Sequence, residues 1–64
     1  MKRTKLIQHL ATNGCALVRE GKRHSILLNP ANRQMAPVPR HREIDPRLVL
    51  MICKELGIEP PSER

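Results

Sequence analysis

His24 stands in the basic run Arg19-Glu20-Gly21-Lys22-Arg23-His24-Ser25. Imidazole changes charge near neutral pH, which suits it to proton transfer. With Lys22 and Arg23 directly before it, such a group is placed to move a proton next to a phosphate while the cations hold the anion. The bland alternative is a strand-start residue on a solvated hairpin. His41 repeats the arrangement between Arg40 and Arg42. It offers a second proton-transfer group or a phosphate contact, against the alternative of a solvated basic loop. His9, beside Leu10, reads as a helix-flank residue.

The charge around these histidines is uneven. The 64 residues carry a formal net charge of +6. Residues 1–42 hold nine Lys/Arg and one Glu, whereas residues 43–64 hold three Lys/Arg and five acids. A basic half-domain of this kind is the electrostatic footprint of a polyanion site, most often nucleic acid. The chain has no Phe, Trp or Tyr, which argues against the aromatic stacking platforms of single-strand binders. Recognition then rests on phosphate contacts, with Arg19, Arg33 and Arg47 as further candidates and a strong dependence on salt. Ser25 has no carboxylate–histidine relay and reads as a hydrogen-bonder in a strand or to RNA, not as a nucleophile.

Size sets further bounds. A domain this small buries only about 60% of the surface its unfolded chain exposes. Any activity must therefore use a few groups on a shallow surface. Cys15 and Cys53 lie far apart, belong to no C-x-x-C pair and read as buried free thiols; with the histidines they match no zinc-ligand spacing. No metal or small-molecule cofactor is called for. The longest apolar stretch, residues 48–53, is far too short to span a membrane. The chain reads as cytoplasmic, with no membrane partner.

The elements that position these groups follow from pattern. A helix is expected over residues 5–13, with Thr4 as N-cap, Leu6, Ile7 and Leu10 as its apolar stripe, and Gly14 just beyond its end. Lys2, Arg3 and Lys5 crowd its start, where the helix dipole disfavours cations. That conflict hints that they serve something outside the fold. Strands are expected over residues 15–20 and 24–29, joined by a turn at Gly21. Both are apolar on both parities, so the sheet is either covered on both faces or offers one to a partner. A third strand, residues 33–38, follows the Asn29-Pro30-Ala31-Asn32 turn. Pro37 and Pro39 lack N–H groups on the same side, which places this strand at an edge and implies a 1-2-3 meander.

Residues 40–44 are a connector, in which Glu43 is expected to pair with Arg40 or Arg42 or to meet the next helix. Asp45-Pro46 opens that helix as N-cap and first residue, and Gly57 closes it. Val49, Ile52, Cys53 and Leu56 form its buried stripe, and Leu48, Leu50 and Met51 are left for a second contact surface. The result is an α+β sandwich of order α-β-β-β-α, with a three-stranded antiparallel sheet and both helices on one face. It comprises one domain over residues 1–58 and a loose tail over residues 59–64.

These residues together resemble the HicA (YcfA-like) toxins of bacterial toxin–antitoxin systems. The resemblance spans residues 5–58. Lys5-Leu6-Ile7, Leu10 and Asn13-Gly14 are similar to the opening helix of that family. Leu17-Val18-Arg19-Glu20-Gly21 and His24-Ser25-Ile26 are similar to its first hairpin. Asn29-Pro30, Val38-Pro39-Arg40-His41 and Glu43-Ile44 are similar to its third strand and exit, and the run from Ile52 to Ile58 to its closing helix. The resemblance implies a double-stranded-RNA-binding-domain-like fold and an endoribonuclease, an mRNA interferase of the stress response. It also implies neutralisation by a cognate HicB-type antitoxin. The family's catalytic histidine begins the second strand, which carries the role to His24. Lys22-Arg23 stand here where the family often has Gly-Ser, adding two cations beside the histidine.

On that reading RNA supplies its own nucleophile, the 2′-hydroxyl. Cleavage then needs a base, an acid and cations at the phosphorane-like transition state. His24 is the expected general acid/base, and Lys22, Arg23, Ser25, Arg40, His41 and Arg42 are the expected RNA contacts. No metal is required. The rival readings are a non-catalytic RNA-binding module of the same fold and a small protein-interaction subunit. A chain this basic invites an acidic partner, and Leu48, Leu50 and Met51 offer it an apolar patch.

Overall fold

In a computed structural model, residues 1–61 are described. Helix α1 spans Arg3–Thr12, strand β1 Ala16–Glu20, strand β2 His24–Asn29, strand β3 Gln34–Pro39 and helix α2 Pro46–Leu56. The chain is the expected α+β sandwich, and its antiparallel sheet has the order β1-β2-β3. Of the expected tail, residues 62–64 lie outside the described residues.

Three local signals act as expected. Asp45 Oδ1 accepts from the Arg47 N–H at 2.8 Å, and Pro46 opens α2. Gly57 takes the left-handed conformation, φ 71°, and the Ile58 and Gly57 N–H groups bond back to the Cys53 and Lys54 carbonyls. This is a Schellman closure. Gly14, φ 87°, closes α1 in the same way, with the Cys15 N–H on the Leu10 carbonyl at 2.9 Å.

The start of α1 differs from the expectation. Thr4 lies inside the first turn, and Lys2 occupies the N-cap without a side-chain hydrogen bond. Instead, the Arg3 N–H donates to the Arg42 carbonyl at 2.9 Å, and the Ile44 N–H to the Met1 carbonyl at 2.8 Å. A backbone bridge joins Lys2 to Glu43 between them. One donor that the helix start leaves unpaired, the Arg3 N–H, is thus met by a distant segment. Glu43 pairs with the Met1 amino group at 3.6 Å, not with Arg40 or Arg42.

Alternation along β2 decides the faces. Ser25, Leu27 and Asn29 are buried, while His24, Ile26 and Leu28 face the other way. The buried face meets both helices: Ser25 bonds Arg3 of α1, and the Asn29 amide donates to the Leu56 carbonyl at 2.7 Å. Both helices therefore pack on one side. The core there is Leu6, Leu10, Cys15, Leu27, Ala36, Val38, Ile44 and the α2 stripe Val49, Ile52, Cys53 and Leu56. Burial pushes both thiols up in pKa; the Cys15 charge adds to the rise at Cys53.

Among the described residues, nothing covers the opposite face. Register aligns Ala16, Leu28 and Met35 in one row and Arg19, Ile26 and Pro37 in the next. Met35 is 58% exposed. The register shifts between Leu17 and Arg19, which leaves Val18 as a bulge. Strand β3 is an edge, as its prolines require. The Arg40 N–H points inward to the Arg23 carbonyl, so the ring nitrogens of Pro37 and Pro39 face outward.

Candidate functional site

Strand pairing assembles the site. His24 opens β2 and pairs in register with Pro39, the last residue of β3. The ladder continues one step further, the Arg40 N–H donating to the Arg23 carbonyl at 3.2 Å. The connector after β3 is thereby brought beside the β1–β2 turn. Arg23, His24, Arg40 and His41 together line a shallow cleft of about 530 Å³, and all four are exposed. Two histidines 17 positions apart in sequence thus share one opening with two guanidinium groups.

The turn is braced from within. The Gly21 N–H donates to the His24 carbonyl at 2.8 Å. Arg40 Nη1 donates to the Gly21 carbonyl at 2.7 Å and lies 3.2 Å from Glu20 Oε1. The same Glu20 oxygen accepts from the Ser25 hydroxyl at 2.8 Å, and the Ser25 hydroxyl in turn accepts from Arg3 Nη2 at 2.8 Å. Arg3 Nε reaches the Pro39 carbonyl at 3.0 Å. One chain of bonds therefore runs from the start of α1, beneath β2, to the turn that precedes His24.

The expected site residues thus separate by position. His24, Arg23, Arg40 and His41 come together. Lys22 is exposed in the turn, and Arg42 is exposed one residue past His41; neither lines the cleft. Ser25 is 1% exposed, on the helix-covered face, with its hydroxyl engaged by Arg3 and Glu20. It supports the site from below instead of lining it. Arg19 lies in a row of the open sheet face, away from the cleft lining. Arg33 sits at φ 61° in the second turn, and Arg47 lies 3.9 Å from Asp45. His9 is a flank residue with a role of its own, its Nε2–H donating to the Glu59 carbonyl at 2.8 Å. Among the described residues, no three His, Cys, Asp or Glu side chains gather as metal ligands.

The family model described as HicA toxin of bacterial toxin–antitoxin matches residues 3–58. The chain belongs to the HicA toxin family. It is a toxin of a toxin–antitoxin system, and an antitoxin partner follows from that membership. No curated protein and no solved structure gives a significant match. Among the described residues, no helix is long and apolar enough to cross a membrane.

Two residues that support the cleft of this HicA-family chain are not legible in its sequence. Arg3 was expected to serve something outside the fold, yet its guanidinium turns inward to Pro39 and Ser25. Glu20 is the only acid among residues 1–42. An isolated carboxylate in a cationic stretch is a signal that it has a specific cation to hold. Here the carboxylate positions Arg40.

Proposed function

We propose that this HicA-family toxin is a metal-independent endoribonuclease that cleaves mRNA in the cytoplasm and is held inactive by an HicB-type antitoxin. The observation that carries the reading is the exposed His24 in one cleft with Arg23, Arg40 and His41. In-line attack of a 2′-hydroxyl on its own phosphate builds negative charge on the phosphoryl oxygens. Arg23 and Arg40, which line the same cleft, offset that charge, and His24 is a proton-transfer group that takes the 2′-hydroxyl proton. Lys22 and Arg42 flank the cleft and hold neighbouring phosphates, which makes binding fall steeply with salt. Ser25 acts through Glu20, which braces Arg40 and the turn. The basic surface favours an acidic antitoxin, whose approach it steers.

The test is incubation of purified protein with mRNA in EDTA, comparing wild type with His24→Ala. Wild type is expected to cleave, and the variant to lose about 10²–10⁴-fold in rate, the usual contribution of one general acid–base. Undiminished cleavage by His24→Ala removes His24 from the mechanism. Salt-sensitive binding by wild type without cleavage identifies a non-catalytic RNA-binding module instead.

A further inference from the structure

We infer that His41 is a second catalytic residue, the general acid that protonates the leaving 5′-oxygen while His24 takes the proton of the 2′-hydroxyl. The inference rests on the ribonuclease reading above and divides its proton transfers between two named groups.

Placement is the first support. His41 lies outside regular secondary structure, yet both neighbours in the chain are anchored. Arg40 is tied to Arg23 through its N–H, and to Gly21 and Glu20 through its guanidinium. The Arg42 carbonyl accepts from the Arg3 N–H, and Glu43 bridges Lys2. A solvated basic loop needs none of these bonds. They hold the His41 backbone between the β1–β2 turn and the start of α1, and its side chain lines the same cleft as His24.

Chemistry is the second support. Transfer of the phosphoryl group from the 5′-oxygen to the 2′-oxygen breaks one P–O bond and forms another. The 2′-hydroxyl loses a proton, the 5′-oxygen gains one, and a 2′,3′-cyclic phosphate is left. The two events occur on opposite sides of phosphorus, because attack is in line with departure, so one imidazole cannot serve both in a single step. The other cleft residues, Arg23 and Arg40, are unsuited to donate: a guanidinium binds anions but is not a general acid. Glu20, the nearby carboxylate, already accepts from Ser25 at the oxygen beside Arg40. Of the four lining residues only the two histidines carry a side chain of the kind that serves as general acid or base.

The decisive experiment uses one RNA oligonucleotide in two forms, one ordinary and one with sulfur replacing the bridging 5′-oxygen at the cleaved position. A thiolate leaves without being protonated, so the modified strand has no need of an acid. Wild type, His24→Ala and His41→Ala are compared on both, and circular dichroism melts confirm that each variant is folded. His41→Ala is expected to be slowed about 10²-fold or more on ordinary RNA, and to return to within tenfold of wild type on the thio strand. His24→Ala is expected to be slow on both. If His41→Ala cleaves ordinary RNA at the wild-type rate, or is slowed equally on both strands, His41 is not the acid and the ribonuclease reading still stands. If folded wild type cleaves neither strand, nor mRNA, the ribonuclease reading itself fails and takes this inference with it.

Discussion

Helix α2 begins on Asp45, whose carboxylate accepts from an N–H two residues on, with Pro46 preset for the first turn. Helix α1 begins on Lys2, which has no side-chain cap, and no acid lies in its first turn. Its start is held instead by backbone bonds to Arg42 and Ile44, and by an arginine that reaches 36 residues along the chain to Pro39. One helix end is specified by its own neighbours and the other by the far side of the fold. The difference has a consequence for the site. The capped end of α2 draws on bonds to its own neighbours, whereas the start of α1 draws on bonds to β2, β3 and the connector. That is the end wired to Ser25, Glu20 and Arg40, so integrity of the cleft is coupled to completion of the fold.

The comparison is broken most severely at Arg3. Arg3→Ala removes two charge-assisted bonds of a part-buried guanidinium and leaves the Pro39 carbonyl and the Ser25 hydroxyl short of a donor. A loss of about 2–4 kcal/mol is expected in urea unfolding. Arg3→Lys is expected to recover little, because an ammonium cannot span both acceptors as the planar fork does. A loss below about 1 kcal/mol would show that the start of α1 does not depend on this link. Next in size is Gly57→Ala at the closing end of α2. The left-handed backbone costs about 1–2 kcal/mol for an L-residue, and a Cβ there runs into the Asn32 amide. Because that amide bonds the Leu56 carbonyl, nuclear magnetic resonance shifts of Asn32 should move with the drop in melting temperature.

Asp45→Ala removes the local cap and is expected to cost about 1 kcal/mol. Asp45→Asn should restore most of it, since an amide oxygen also accepts. The smallest effect separates the two kinds of helix start most sharply. Thr4→Ala is expected to change stability by no more than about 0.5 kcal/mol, as at an exposed surface position. A loss of about 1 kcal/mol, the value for removing a capping threonine, would show that Thr4 is the cap after all.

Residues whose partners are near in sequence were legible. Asp45-Pro46, Gly57, Gly14 and the paired prolines of β3 each carry a conformational requirement of their own. His24 was legible as the first residue of β2 because the turn before it is marked by Gly21. Ser25 was not legible as an inward residue. With apolar side chains on both parities, β2 carries no signal of which face is buried, and a serine fits either. Nor was the destination of Arg3 legible, because its acceptors lie 22 and 36 residues away. The bulge at Val18, which resets the register of β1, leaves no mark that composition reveals.

By itself, then, the sequence determined the element order, the edge position of β3, the ends of α2 and the cationic setting of His24. These follow from backbone propensities and charge that act within a few residues. Only the tertiary structure decided that His41 and Arg40 join Arg23 and His24 in one cleft, that Ser25 and Glu20 lie behind it, and that Arg3 holds them. Those outcomes depend on strand register, and register is settled only when one face of the sheet is buried against two helices.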